Sequence, residues 1–331
     1  MTIRHALTWK CAFYDVLLPL LRRTSPARAD LALSALGRLV SNFRPMHRRQ
    51  LAGALVKARE ALGADWSPAD VRAEMDDNLP RFLARDYLLG GPADSGWGGR
   101  FEVEGADVLA EATAGGRGCI LVGSHLGAYL PAVRWLCEQG PPVRLLIQRP
   151  KHVSGELSRW FDRTGPHPQS GFFLRRGLDA GTSATRVLAA RSALRDGLSI
   201  YMTGDVPWDG PNARPARFLG RDFRLLSIWT DLAVLTGAPV VLAFGSHMPD
   251  GRFSLRFEGL GRLAAGDETW ALARYCHRLD AEIAAHPADA VAHLTWPCYT
   301  QPAPSTRVPR PHRGRTKTAP RLAGTAAGQA H

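Results

Sequence analysis

Three short apolar runs in the chain each end in residues able to carry acid–base or phosphate chemistry. Residues 119–122 lead into Gly123-Ser124-His125-Leu126-Gly127. Residues 143–147 lead into Gln148-Arg149-Pro150-Lys151-His152, and residues 198–202 into Thr203-Gly204-Asp205-Val206-Pro207. In open α/β sheets, ligands bind beyond the carboxyl ends of the strands. Three parallel strands would therefore bring an imidazole, a basic pair and a carboxylate to one edge. Such a set can activate a hydroxyl beside a phosphate-bearing substrate: His125 takes its proton, while Arg149 and Lys151 hold the phosphate. Gly123 and Gly127 are expected to leave the imidazole uncrowded, and the helix that follows offers amide groups to an anion. Ser124 beside His125 raises a serine hydrolase as a rival. The order here is G-S-H-x-G rather than G-x-S-x-G, so no nucleophile elbow centres on the serine.

The elements that must position these loops can be read from periodicity. Residues 1–91 carry apolar positions at spacings of three and four, including Leu31, Leu33, Leu36, Leu39, Leu51, Leu55 and Leu62, which predicts a helical N-terminal section. Ser67-Pro68 with Asp70 marks a helix start, and Gly90-Gly91-Pro92 an end. From about 101 the pattern alternates. Strands are expected at 119–122, 143–147, 198–202, 240–244 and 253–257, with helices near 128–138, 155–163, 183–195, 225–235 and 268–285. The last strand pair, joined by Pro249-Asp250-Gly251, reads as an antiparallel hairpin. The fold class is therefore α/β, a mostly parallel sheet flanked by helices and preceded by a helical section. This α/β domain covers 101–300. Residues 301–331, rich in Pro, Arg, Thr and Ala, are expected to be a disordered basic tail.

Charge is concentrated at the ends. Residues 1–50 hold nine Lys/Arg against two acids, and residues 301–331 hold six against none. The middle of the chain, with 27 basic and 28 acidic side chains, is neutral. Basic ends attract anionic membranes and nucleic acid alike, but no nucleic-acid-binding motif accompanies them, so no nucleic-acid partner is expected. The apolar stretch 12–21 is too short to span a bilayer, which needs ~20 apolar residues. A helix lying in the interface is the alternative, with Trp9, Phe13, Val16, Leu17 and Leu20 sharing a face. Arg22 and Arg23 follow that stretch without a small-x-small cleavage site, which predicts no secretory signal. The five cysteines (Cys11, Cys119, Cys137, Cys276, Cys298) show no CxxC pair and no zinc spacing. A reduced, cytosol-facing protein without metal or cofactor is expected.

A set of short motifs now falls in order: Val103-Glu104-Gly105, Gly116-Arg117-Gly118-Cys119-Ile120-Leu121, His125-Leu126-Gly127-Ala128, and Gly197-Leu198-Ser199-Ile200 leading to Asp205. Ala216-Arg217-Phe218-Leu219-Gly220-Arg221, Thr236-Gly237-Ala238-Pro239, Met248-Pro249-Asp250-Gly251-Arg252-Phe253 and Ile283-Ala284-Ala285-His286-Pro287 complete it. In order and spacing, roughly residues 70–290 resemble the bacterial lipid A late acyltransferases, with the related phosphatidylinositol mannoside acyltransferases, in the lysophospholipid acyltransferase superfamily.

That resemblance implies a glycerolipid acyltransferase-like fold. It also implies transfer of a fatty acyl group from acyl carrier protein or acyl-coenzyme A to a lipid or glycolipid at the cytoplasmic face of the inner membrane. His125 matches the family's general base, and Arg217 and Arg221 flank a turn that the family places by its cleft, which makes them candidates for acceptor binding. The family carries an acid five positions after the histidine; here that position is Leu130. Three outcomes are open. Asp205 supplies the carboxylate, Tyr129 supplies a hydroxyl, or the chain is an inactive lipid- or carrier-binding relative. Trp208, Phe223 and Trp229 are candidates for an acyl groove, with core packing as their other reading.

Overall fold

Burial on both faces makes residues 120–123, Ile-Leu-Val-Gly, a central strand rather than an edge: all four positions are inaccessible to solvent. In the computed structural model, which describes residues 12–43, 45–89, 100–148, 167–174, 180–248 and 252–300, this strand sits inside a six-stranded sheet. The strands are β1 (Phe101–Glu104), β2 (Ile120–Gly123), β3 (Val143–Leu145) and β4 (Ser199–Thr203), then β7 (Val240–His247) and β8 (Phe253–Gly261). A separate antiparallel hairpin is formed by β5 (Ala213–Phe218) and β6 (Arg221–Leu226). The sheet order is β1-β8-β7-β2-β4-β3, and every pairing in it is parallel except β7 with β8. The architecture is thus α/β with a mostly parallel sheet, as the alternation of elements predicts.

Strand periodicity sorts the core into two layers. Ile120, Val122, Ile200, Met202, Val240 and Leu242 point to one face. There they meet α3 (Pro45–Leu62) and α4 (Pro68–Leu89), together with α7 (Ala180–Arg195), α8 (Ile228–Thr236) and α9 (Glu268–Ala285). Cys119, Leu121, Leu145, Tyr201, Val241 and Ala243 point to the other, where α5 (Ala106–Thr113) and α6 (Tyr129–Glu138) cover them. The N-terminal helices are therefore part of the main core through Leu51, Leu55, Val71 and Met75. They open with a π-helical turn, Ala12–Leu17, continued by α1 (Leu18–Leu21) and then α2 (Pro26–Asn42). Two short helices, α10 (Val291–Thr295) and α11 (Pro297–Thr300), close the described chain.

Several expectations shift. The helix expected over 225–235 begins at Ile228, because residues 221–226 form β6, with Phe223 and Leu225 buried and Arg221, Asp222 and Arg224 exposed. That is period-two burial, which a helix cannot produce. The face expected to unite Phe13, Val16, Leu17 and Leu20 divides: Phe13 is buried with Leu18 and Leu21, whereas Val16 and Leu20 are exposed. Trp9, the helix expected near 155–163 and the tail from 301 lie outside the described residues. Among the described residues, no helix is long and apolar enough to cross a membrane.

Candidate active site

β2 and β4 are parallel neighbours with Gly123 opposite Thr203, a sequence offset of eighty. Two residues beyond each strand end, the same offset pairs His125 with Asp205. The Asp205 carboxylate accepts from the His125 backbone N–H at 2.7 Å through Oδ2, and Oδ1 lies 2.9 Å from His125 Nδ1. The backbone register thus sets the imidazole–carboxylate geometry.

A second histidine completes the arrangement. His293, on α10, brings Nε2 to 2.8 Å from Asp205 Oδ2, and its side chain is wholly buried. Asp205 therefore lies between two imidazoles. From α11, the Tyr299 hydroxyl donates to the Asp205 carbonyl at 2.8 Å and stands 3.4 Å from His125 Nδ1. Burial works against a charged Asp205. The imidazoles of His125 and His293, by charge and by hydrogen bonds, more than offset it and hold the carboxyl below the usual carboxylate range. An ionised Asp205 requires a proton on the His125 nitrogen that faces it, so the neutral ring carries Nδ1–H and keeps a lone pair on Nε2. The ring contacts Tyr129, with centroids 5.3 Å apart, and Trp296, at 5.4 Å. Its side chain retains 20% exposure.

The loop that carries His125 is fixed by close approaches. A Cβ on Gly123 would come within 2.1 Å of the Tyr201 hydroxyl. One on Gly127, where φ is +45°, would come within 2.7 Å of the Asp289 carboxylate and of the Gly245 carbonyl. These glycines therefore admit neighbouring groups close to the backbone. The Gly123 carbonyl accepts the Tyr275 hydroxyl at 2.8 Å, tying the strand end to α9. Gly127→Ala is expected to cost ~2–4 kcal/mol by combining backbone strain with overpacking. Urea unfolding measures it, and a loss below about 0.5 kcal/mol would show that the loop relaxes freely.

The loop ahead of α6 is held by its own amides. The amides of His125, Gly127 and Ala128 are directed inward, to Asp205, the Asp289 carbonyl and the Gly245 carbonyl. Ser124 is buried, and its Oγ accepts the Leu126 N–H at 3.2 Å, a loop-stabilising bond rather than a nucleophile's pairing with a base. Cysteine does not supply a nucleophile from the core either. Burial pushes the Cys119 thiol up to about 11 and that of Cys276 up to about 12. Among the described residues, no group of three or more His, Cys, Asp or Glu side chains is placed to hold a metal ion.

The remaining candidates separate. Arg217 is 73% exposed on the β5–β6 hairpin and faces Asp222 at 3.8 Å. Arg221 donates to the Tyr299 carbonyl and lies 5.4 Å from the Phe223 ring centroid, so it braces α11 behind Asp205. Arg149 and Lys151 lie outside the described residues. Trp229 is fully buried against Tyr275, and Phe223 packs on Phe218 and Tyr299; both are core. Trp208 donates its indole N–H to the Pro211 carbonyl at 3.0 Å.

Three site residues escaped the sequence reading: His293, Trp296 and Tyr299. Their signals are a histidine inside the apolar run Val291-Ala292-His293-Leu294 and the Trp296-Pro297 helix start. No protein-family model matches the chain, and no curated protein matches it.

Proposed function

We propose that the protein is an acyltransferase that moves a fatty acyl group from an acyl-thioester, on acyl carrier protein or coenzyme A, to a hydroxyl of a lipid or glycolipid at the inner face of the membrane. The observation that carries this reading is the buried Asp205 carboxylate 2.9 Å from His125 Nδ1, on a ring that keeps partial exposure. The ordered motifs along residues 70–290 give the reading its substrate class, and the parallel sheet with His125 at a strand's carboxyl end agrees with it.

The step follows from the tautomer. His125 Nε2 takes the proton of the acceptor hydroxyl as its oxygen forms a bond to the thioester carbonyl carbon. Asp205 stabilises the imidazolium that results. Collapse of the tetrahedral adduct breaks the carbon–sulfur bond, and the departing thiolate leaves as a thiol with the proton from Nε2. The products are an ester and a free thiol, and no cofactor is consumed.

Leu130, at the family's acidic position, favours the rival reading of an inactive binding relative. Against it stands Asp205, which supplies a carboxylate to the same ring from β4 rather than from α6. Purified protein is expected to release thiol from long-chain acyl-coenzyme A or acyl carrier protein only when a lipid extract is present, with an acylated lipid detected by mass spectrometry. No thiol release with either donor would overturn the reading. Leu130→Glu is expected to change that rate by less than about threefold, because Nδ1 already has its acceptor. A loss beyond about tenfold would mean that Leu130 belongs to a binding surface.

A further inference from the structure

The α2 helix is apolar on two opposite sides. Its inner side packs: Ala29 and Leu33 are buried, and Gly37 lies so near α4 that a Cβ would come within 1.9 Å of the Asp76 carbonyl. Its outer side is expected to be polar, as on an ordinary amphipathic surface helix. It is not. The exposed positions from 28 to the C-cap at 43 are Arg28, Leu31, Ala32, Ala35, Arg38, Leu39, Asn42 and Phe43, and five of these eight are apolar. Leu31, Leu39 and Phe43 expose 72%, 55% and 79% of their surface.

At 100° per residue, Leu31, Ala35, Leu39 and Phe43 form one row spaced by four, within an arc of about 120°. Arg28 sits at its N-terminal end. The preceding turn and α1 repeat the pattern with Val16 and Leu20, exposed and also four apart, while their inner residues Phe13, Leu18 and Leu21 share a cluster with Ala29 and Leu33.

We infer that the outer row of α2, extended by Val16 and Leu20, is a docking surface for anionic phospholipid on which the helix lies in the membrane plane. Charge selects this occupant. Residues 12–62 carry nine Lys/Arg against three acids, which attracts an anionic bilayer and opposes a second copy presenting the same face. Arg38, at the edge of the row, is held by Asp77 at 2.6 Å, whereas Arg23 and Arg28 stand exposed near its start. An apolar row bordered by arginines, on a helix that cannot span, is the pattern of an in-plane helix. The surface also differs from the one expected at residues 9–20, because Phe13 is used inside the fold. The inference rests on the acyltransferase reading only for its purpose, since a lipid acceptor must be reached at a surface.

The test is flotation of the full chain with vesicles of phosphatidylcholine, with and without phosphatidylglycerol. Wild type is expected to float with the mixed vesicles and less with phosphatidylcholine alone. Leu31→Glu/Leu39→Glu/Phe43→Glu should lose at least about tenfold of that binding. Leu188→Glu/Leu235→Glu, exposed apolar positions on α7 and α8, should bind as wild type, with thermal unfolding checked for both variants. His125→Ala should float like wild type, so a failed acyl-transfer assay and a failed docking surface give different results. Equal flotation of the triple variant and wild type would overturn the inference. So would a wild-type dimer that the triple variant abolishes, which would assign the row to self-association.

Discussion

His125→Ala is expected to lower acyl transfer by about 10³-fold in kcat while leaving KM within a few-fold. General-base removal costs ~10²–10⁴ in rate, and this base is unusually well oriented. Its Nδ1–H is directed at a carboxylate that burial makes rigid and two imidazoles keep ionised. Tyr129 and Trp296 both pack against the ring. The loss should therefore appear in kcat, because the acyl chain and acceptor bind elsewhere than on Nε2. Equal turnover in the variant and wild type would remove His125 from the mechanism. The fold is expected to persist, since the His125 backbone N–H still donates to Asp205 Oδ2 and His293 still supports that oxygen. Circular dichroism and thermal unfolding check this, and they separate a chemical loss from collapse of the loop.

Half of this site was legible because half of it is local. His125 and Asp205 each follow an apolar run by a fixed short distance, and parallel strands convert equal distances beyond the strand ends into contact. Arg149 and Lys151 were found by the same rule from the strand at 143–147, and they lie outside the described residues. His293, Trp296 and Tyr299 follow no strand. They reach Asp205 and His125 from about ninety residues or more away, after a helix that His286-Pro287 ends, and local periodicity holds no information at that range. Arg221 illustrates a different limit. The resemblance makes it a candidate for acceptor binding, and in the folded chain its guanidinium also donates to the Tyr299 carbonyl. An arginine's five donors fit a backbone carbonyl as well as a phosphate, so residue type alone does not separate the two. The hairpin at 213–226 could have been read, because Phe223 and Leu225 alternate with Asp222 and Arg224. A helical reading from 225 overran it, since Leu225, Leu226 and Ile228 also suit a helix.

Asp205→Asn should be at least as damaging to catalysis as loss of His125, for a different reason. The amide can present its oxygen either to the His125 amide and His293 Nε2, which now share Oδ2, or to His125 Nδ1 at Oδ1, but not to all three. An NH2 facing His125 Nδ1 forces the proton to Nε2, the nitrogen that must accept from the acceptor hydroxyl. The expected loss is about 10³–10⁴-fold in kcat, the scale of a base held in the wrong tautomer. A loss under tenfold would show that Asp205 is structural. Stability gives a second readout. The folded-state carboxyl titrates below its ordinary value, so its contribution is fully present above the unfolded value of about 4. That contribution is lost as pH falls through the folded value. Wild type should therefore lose stability between pH ~4 and pH ~2 more steeply than Asp205→Asn, which has no proton to take up there. Parallel Tm curves across that range would mean that the pairing of Asp205 with His125 and His293 adds little to folding. The turnover loss would then stand as evidence for the tautomer alone.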